Sequence, residues 1–245
     1  MDRVAFSLFG IDVMWYGIFI AIGMMLAVGI AVKESKRVGL KEEDIMDLAL
    51  FLIPLGVLGA RIYYVIFSWD QYSGNLMDIF NIRGGGLAIH GGIIAGILTG
   101  FVFSRIKKID FFKLADTVVL GVPLAQSIGR WGNFVNQEAH GGPTDLPWGI
   151  MIDGQKVHPT FLYESIWDLL IFLFIFLRRK KKKYEGSIIV EYITLYSLGR
   201  FFIEGLRTDS LMLGPIRMAQ FVSLLGVVVG VVLHIILSKR SKNGI

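Results

Sequence analysis

Apolar runs long enough to cross a bilayer alternate with short polar segments along almost the whole chain. A transmembrane helix needs about 20 consecutive, mostly apolar residues. Seven segments fit this description, at about residues 14–32, 45–67, 86–104, 112–128, 160–177, 187–206 and 216–237. The fourth is short, and the sixth contains three charged residues. The pattern predicts an all-α, polytopic integral membrane protein whose residues 1–245 form a single membrane domain.

Composition supports this class. Hydrophobic residues make up 54% of the chain and charged residues 18%, whereas soluble domains carry about 25% charged residues. The chain has no cysteine, which excludes disulfides, a thiolate nucleophile and cysteine metal sites. Because no histidine pair or carboxylate cluster has the spacing of metal ligands, we expect neither a metal nor a cofactor.

Lysine and arginine are concentrated in alternate polar segments, which predicts the orientation. The first, third and fifth loops and the C-terminal tail hold 17 of the 25 cations: Lys33, Lys36, Arg37, Lys41, Arg105, Lys107, Lys108, Lys113, residues 178–183, Lys239, Arg240 and Lys242. By the positive-inside rule these segments face the cytoplasm, so the N-terminus lies outside and the C-terminus inside. The run at 178–183 is predicted to fix topology and to lie near anionic lipid. Despite a net charge of +5, we expect no nucleic-acid partner.

Seven of the eight remaining cations are arginines. The eight are Arg3, Arg61, Arg83, Arg130, Lys156, Arg200, Arg207 and Arg217. A guanidinium is a planar, bidentate donor suited to phosphate and carboxylate. In the predicted topology, several polar residues lie at the outer ends of spans or just beyond them: Tyr16, Arg61, His90, Arg130, Asn133, Asn136, Glu138, Arg200 and Glu204. Since charges inside a bilayer are costly and usually functional, their common depth predicts one polar cavity open to the outer leaflet.

The segment "GRWGNFVNQE" at 129–138 begins the longest polar loop, an external head at 130–159. Gly129 and Gly132 are expected to bend the chain at the end of the fourth span, so that the polar side chains face an anionic ligand. An interfacial turn with belt residues accounts for the arginine and the tryptophan. It does not account for two asparagines and a glutamate in addition.

Two interpretations stay open for the sixth span. Arg200 and Glu204 are four residues apart and could simply form an ion pair. With Tyr196 and Arg207 they lie along one helical face, which favours the lining of a cavity.

The second and third spans leave similar alternatives. Arg61 is either a structural counter-ion or a ligand-binding residue. His90, flanked by glycines in "GGGLAIHGG", is either a packed, hydrogen-bonded histidine or a catalytic group.

Residues 129–138 resemble the motif G-R-x-G-N-F-x-N-x-E of the bacterial prolipoprotein diacylglyceryl transferase family. Further segments of this chain are similar to the family in the same order: "WYG", "GARIYYV", "GGLAIHGG", "HPTFLYE" and "GRFFIEGLR". The resemblance covers nearly the whole chain. One departure is Phe161, where many members have glutamine.

The resemblance implies a reaction at the outer face of the bacterial cytoplasmic membrane. Members transfer an sn-1,2-diacylglyceryl group from phosphatidylglycerol to the lipobox cysteine of a preprolipoprotein, which forms a thioether and releases glycerol phosphate. This is the first step of lipoprotein maturation. The expected partners are therefore phosphatidylglycerol, lipobox signal peptides and the lipid bilayer.

Roles for individual residues follow from the chemistry and the family pattern. Arg130 and Arg200 are expected to clamp the phosphate and stabilise developing charge, and His90 is the candidate base for the thiol. The predicted phosphatidylglycerol-binding set is Tyr16, Arg61, Arg130, Asn133, Asn136, Glu138, Gly141, Tyr196, Arg200, Glu204 and Arg207.

Two other functions compete with this one. A lipid or anionic-solute transporter or flippase with an outward-facing, arginine-lined cavity would need polar residues continuing to the inner side, where Asp47, Asp116 and Glu191 are the candidates. An intramembrane protease would need a serine–histidine pair or two aspartates within the membrane, and neither pattern stands out.

Overall fold

The computed structural model describes residues 2–81 and 85–242, together with the backbone but not the side chain of Leu213. Arg83, one of the cations considered above, lies outside these residues. The α-helices are α1 Trp15–Val38, α2 Glu42–Phe67, α3 Ile89–Lys107, α4 Phe111–Val119, α5 Val122–Asn136, α6 Thr160–Arg178, α7 Ser187–Glu204 and α8 Met218–Lys242. Short 3₁₀ helices cover Trp69–Gln71, Leu76–Phe80 and Arg179–Lys181.

Three small antiparallel hairpins accompany the helices. They pair β1 Val4–Leu8 with β2 Ile11–Met14, β3 Ile150–Ile152 with β4 Gln155–Val157, and β5 Met212–Leu213 with β6 Ile216–Arg217. The predicted helical class is therefore correct, with minor strands outside the long helices.

Five helices in the described ranges are long and apolar enough to cross a membrane, namely α1, α2, α3, α6 and α8. The pair α4 and α5, bent by 40°, gives a sixth candidate if it counts as one span. Many large apolar side chains on these helices are exposed, as expected for surfaces that contact lipid rather than water. The chain is a polytopic membrane protein.

The predicted bend at Gly129 and Gly132 is wrong, because α5 continues through both glycines to Asn136. The break lies at 120–121 instead. A Cβ at Gly121 would lie 2.6 Å from the Cα of Ala27, so glycine lets the backbone approach α1 closely. Pro123 follows in the first turn of α5, where its missing N–H costs no helical hydrogen bond. The irregular head consequently begins at Gln137, rather than at 130.

The structure divides into two compact units. One contains the chain up to Ala31 and from Asp116 onwards, and the other contains Val32–Ala115. The core of the first unit consists of Val119, Leu120, Ile171, Ile175 and Ile188, surrounded by partly buried apolar residues of α1, α5, α6 and α7.

The start of α7 is fixed by a buried aspartate of α4. The Asp116 carboxylate accepts hydrogen bonds from the backbone N–H groups of Gly186 at 2.8 Å, and of Ile188 and Ile189 at 3.0 Å each. These donors have no partner within the first turn of a helix. Lys182 Nζ lies 3.4 Å from the same carboxylate. Asp116 thereby positions the helix that carries Arg200 and Glu204.

In the second unit, α2 and α3 pack closely through glycines. A Cβ at Gly91 would lie 2.3 Å from the carbonyl oxygen of Gly59. At the other end of the pair, Lys107 Nζ contacts Asp44 at 2.7 Å and Asp47 at 2.9 Å.

Candidate functional site

The centre of the candidate site is a glutamate on α6 that contacts two arginines. Glu164 Oε2 lies 2.8 Å from Nη1 of Arg130 on α5, and Glu164 Oε1 accepts a hydrogen bond from Nη1 of Arg200 on α7. The Glu164 side chain is 5% exposed, and those of Arg130 and Arg200 are 21% and 18% exposed. Charges with so little contact with water are stable only when paired.

Hydrogen bonds between serines hold α5 and α6 in register beside this centre. Ser127 Oγ donates to the carbonyl of Ser165 at 2.8 Å, and Ser165 Oγ donates to the carbonyl of Ser127 at 2.9 Å. Ser127 is one turn before Arg130, and Ser165 follows Glu164. The exchange therefore fixes the height of Arg130 relative to Glu164.

The predicted ion pair of the sixth span is present. Arg200 Nη2 lies 2.6 Å from Glu204 Oε2, and Arg207 Nε lies 3.9 Å from the same oxygen. Glu204 Oε2 meets no hydrogen-bond geometry, so both contacts are electrostatic. Because Arg200 also contacts Glu164, the ion pair is connected to the contact between Glu164 and Arg130.

Arg207 is held mainly by Asp209, just beyond α7. Its Nε and Nη2 donate to the two carboxylate oxygens at 2.9 and 2.7 Å. Burial favours the protonated acid, but the hydrogen bonds from Arg207 outweigh it and keep the pKa of the Asp209 carboxyl below its ordinary value. This pair therefore stabilises the fold above the unfolded-state pKa of aspartate, and its contribution is lost as the pH falls through the lowered pKa.

A small cavity of about 10 Å³ lies between the two arginines, enough for about one water molecule. Its lining consists of Arg130, Glu164, Trp167, Asp168, Tyr196, Arg200 and Ile203. Asp168 is buried, and its Oδ2 has no hydrogen-bond partner among the described residues. Tyr196 stacks on Tyr192, whose hydroxyl donates to Gln126 at 2.9 Å.

An apolar groove of about 310 Å³ runs between α6 and α7 next to this cavity. It is lined by Tyr163, Ile166, Trp167, Leu198, Gly199, Phe202 and Ile203. Trp167 and Ile203 line both spaces. Trp167 donates its indole N–H to the carbonyl of Leu195 at 2.9 Å, and a Cβ at Gly199 would lie 2.0 Å from that indole nitrogen.

Tyr16 belongs to the same unit as the arginine pair. Its ring packs on Gly132, where an added Cβ would lie 2.0 Å from Tyr16 Cδ2. Gly132 therefore serves close packing of α1 against α5, rather than a bend.

The polar residues at the end of α5 form a local motif. Asn133 and Asn136 donate their side-chain amides to Glu138 Oε1 at 2.9 and 3.2 Å. The chain leaves the helix at Gln137, which has a left-handed φ of 55°. This turn brings Glu138 back over the last turn of the helix.

Gly141 joins the head to the end of α7. Its N–H donates to the carbonyl of His158 at 2.9 Å, and the N–H of Gly142 donates to the carbonyl of Leu206 at 3.0 Å. A Cβ at Gly141 would lie 2.7 Å from the Cβ of His158. Glycine is therefore required here for packing.

Two of the predicted residues lie in the other unit. Arg61 is 4% exposed and donates to the carbonyls of Asp78, Ile79, Gly85 and Gly86 at 2.6–3.0 Å. These contacts favour the structural interpretation of Arg61. His90 is exposed in the first turn of α3, with its ring centroid 6.0 Å from that of Tyr63.

Glu164 and Asp168 are not among the site residues predicted from the sequence. The available signal was their spacing, since two acidic residues four positions apart share one face of the otherwise apolar α6. Among the residues that the structure describes, no three histidine, aspartate or glutamate side chains converge as metal ligands.

Comparison with known proteins identifies the family. The sequence model of the family described as "Prolipoprotein diacylglyceryl transferase" matches residues 3–236. The chain belongs to this family. Its relatives include proteins named phosphatidylglycerol–prolipoprotein diacylglyceryl transferase from three bacteria. That from Clostridioides difficile is 67% identical over 100% of this chain and 99% of its own length. Those from Finegoldia magna and Clostridium kluyveri are 53% and 48% identical, and each alignment covers at least 97% of both proteins.

The family and these relatives make the chain a transferase. They give no support to the transporter alternative. The three acidic residues on which that alternative depended also have structural partners: Asp47 contacts Lys107, Asp116 accepts the N–H groups at the start of α7, and Glu191 lies 3.2 Å from Arg178.

Proposed function

We propose that the chain transfers the sn-1,2-diacylglyceryl group of phosphatidylglycerol to the lipobox cysteine of preprolipoproteins. The cysteine sulfur forms a bond to the glyceryl carbon, and the bond from that carbon to the phosphate oxygen breaks. The electron pair of that bond leaves with glycerol phosphate, and the thiol proton passes to a base. A cysteine thiol has a pKa of about 8.5, so the reaction needs both a proton acceptor and stabilisation of the leaving phosphate.

One observation carries this proposal: the two arginines converge on one carboxylate. Glu164 presents an oxygen to Arg130 and the other to Arg200. Two oxygens of a phosphodiester would meet the same pair of guanidinium groups, whose planar donors suit phosphate as well as carboxylate. In a site with little water, such donors stabilise negative charge on the leaving oxygen far more than they would in solution.

The groove between α6 and α7 supports a lipid substrate. It is apolar, and it begins at Trp167 and Ile203, which also line the cavity between the arginines. An amphipathic anion with its phosphate at Arg130 and Arg200 could therefore place an acyl chain in the groove. Small-molecule sites commonly combine an apolar wall with a few polar groups that fix orientation.

We assign the other predicted residues the following roles. Asn133, Asn136 and Glu138 orient the headgroup, with Tyr16 and Tyr196 beside the arginines. Glu204 and Arg207 support Arg200, whereas Gly141 and Arg61 act by holding backbone segments in place. His90 accepts the thiol proton. The absence of cysteine is compatible with direct transfer to the acceptor thiol.

The proposed topology has seven spans in one membrane domain of the bacterial cytoplasmic membrane. The N-terminus lies outside and the C-terminus inside, with α4 and α5 together forming the fourth span and α7 the sixth. Seven spans agree with the alternation of the cation-rich loops. This topology puts the arginine pair towards the extracytoplasmic face.

Purified protein in phosphatidylglycerol liposomes should modify a lipobox peptide. Mass spectrometry should find a gain of one diacylglyceryl unit on a cysteine peptide and none on the matched serine peptide. No gain with folded protein would contradict the proposed reaction.

A further inference from the structure

The two arginines of the site have different sets of partners. Arg200 contacts both Glu164 and Glu204. For Arg130, Glu164 is the only ion-pair partner within 4.0 Å in the described part of the chain. A phosphodiester that displaces Glu164 would therefore leave Arg200 in contact with a carboxylate, but would leave Arg130 without one.

A further buried carboxylate lies close by. Asp168 follows Glu164 by one turn of α6, is 2% exposed and lines the cavity between the arginines. Its Oδ2 has no hydrogen-bond partner among the described residues. Both guanidinium groups line this cavity too, and Arg130 is the one of the two that lacks a second carboxylate within 4.0 Å among the described residues. The other titratable groups that face it are Glu164 on its own helix, and Tyr192 and Tyr196 on α7.

An aspartate in this environment lowers stability unless its carboxylate interacts favourably with a neighbouring group. Burial of a carboxyl without a hydrogen-bond donor is unfavourable, and a negative charge beside an anion site also opposes the anion. A role for Asp168 must therefore act through the guanidinium groups that it faces.

We propose that Asp168 is a positioning residue that holds Arg130 in place when the phosphodiester of the substrate displaces Glu164. This inference rests on the proposed function. Each arginine then has a carboxylate of its own, Asp168 for Arg130 and Glu204 for Arg200, and the two share Glu164 only while the substrate is absent. Asp168 contacts no reacting atom, and its effect on transfer passes through Arg130.

The first test is Asp168→Asn, which keeps the side-chain volume and removes the charge. We expect kcat for transfer to fall at least about tenfold, a modest loss for a group that orients a charge-stabilising donor. KM for phosphatidylglycerol should stay unchanged or fall, because one fewer negative charge opposes the anion. Asp168→Glu should recover part of kcat. If the carboxylate only opposed the anion, Asp168→Asn would raise transfer, and an unchanged or raised kcat overturns the proposal.

The second test asks which arginine is coupled to Asp168. Arg130→Lys and Arg200→Lys are each combined with Asp168→Asn, and with Asp168→Glu should the asparagine variant fail to fold. We expect the fold-loss in kcat from Arg130→Lys to shrink in the Asp168 variant, while the loss from Arg200→Lys stays the same. If the Asp168 substitution changes the fold-loss in kcat equally for Arg130→Lys and Arg200→Lys, the assignment of Asp168 to Arg130 is overturned. A wild-type protein without transfer activity would instead contradict the proposed function itself.

Discussion

At the scale of single residues, Glu164 determines the state of the site without substrate. Its two oxygens contact Arg130 and Arg200, where the phosphate of the lipid is proposed to bind. A carboxylate in this position pairs with two partly buried guanidinium groups. It has to move away before an anion can contact both of them.

Glu164→Gln tests whether carboxylate and phosphate share this position. The amide retains the shape but removes the charge and turns a donor towards an arginine, so we expect a lower thermal midpoint, since breaking a buried pair costs about 3–5 kcal/mol. Glycerol phosphate should raise that midpoint more in the variant than in the wild type, because it replaces the missing anion. An equal shift in the two proteins would mean that the anion binds elsewhere.

The chemical type of each residue and its place along the chain explain which site residues could be predicted from the sequence. Arg200 was predictable because charged residues are rare and costly in apolar spans, and Arg130 because it belongs to the polar segment that directly follows the fourth predicted span. Glu164 and Asp168 lie in α6 among residues that read as an ordinary span, and only their contacts across to α5 and α7 show what they do. Such contacts depend on helix packing, which periodicity along one helix does not determine.

At the scale of secondary-structure elements, the position of α7 depends on its first turn. Asp116 accepts hydrogen bonds from three backbone N–H groups there, those of Gly186, Ile188 and Ile189, which precede Arg200 by 11 to 14 residues. A shift of α7 would move Arg200 and Glu204 together relative to Glu164.

Asp116→Ala should therefore destabilise the protein and lower transfer. Unsatisfied buried donors cost about 1–3 kcal/mol, which thermal unfolding in detergent can measure. Asp47→Ala is the matched control, since Asp47 contacts Lys107 with half of its side chain exposed and such pairs contribute about 0–1 kcal/mol. Equal midpoints for the two variants would contradict the role of Asp116 in fixing α7.

The groove between α6 and α7 gives a second test at this scale. Leu198→Trp should fill part of its volume of about 310 Å³ and raise KM for long-chain phosphatidylglycerol several-fold. Leu225→Trp on α8, which is also exposed, provides the control. If both variants match the wild type in steady-state kinetics, no acyl chain of the substrate occupies the groove.

The helices could be predicted well, but the break in the fourth span could not. Long apolar runs specify α1, α2, α3, α6 and α8 directly, because each must satisfy its backbone hydrogen bonds within the bilayer. The glycines at 129 and 132 suggested a bend, whereas the bend occurs at Gly121. Gly132 and Gly121 differ in the residue that packs against them, which is Tyr16 at Gly132 and Ala27 at Gly121. Which residue packs there depends on the three-dimensional fold.

At the scale of the whole molecule, the proposed orientation depends on the distribution of cations. The absence of cysteine makes single-cysteine labelling possible without a background. Gln155→Cys in the head should react with a membrane-impermeant maleimide on intact spheroplasts. Lys181→Cys, in the cation-rich segment, should react only after permeabilisation. The reverse labelling pattern would mean that the orientation is the opposite of the proposed one. Labelling of both cysteines from outside would contradict the number of spans.

The most direct measurement compares diacylglyceryl transfer by the wild type, Arg130→Ala and Arg105→Ala in phosphatidylglycerol liposomes, with mass spectrometry of a lipobox peptide. Arg105 is an exposed arginine of α3 and controls for the loss of a cation. We predict that Arg130→Ala loses about 10²–10³-fold in rate, as expected when a charge-stabilising donor is removed, while it still inserts into the membrane and Arg105→Ala keeps its activity. Full transfer by a folded Arg130→Ala protein would contradict the arginine pair as the phosphate site.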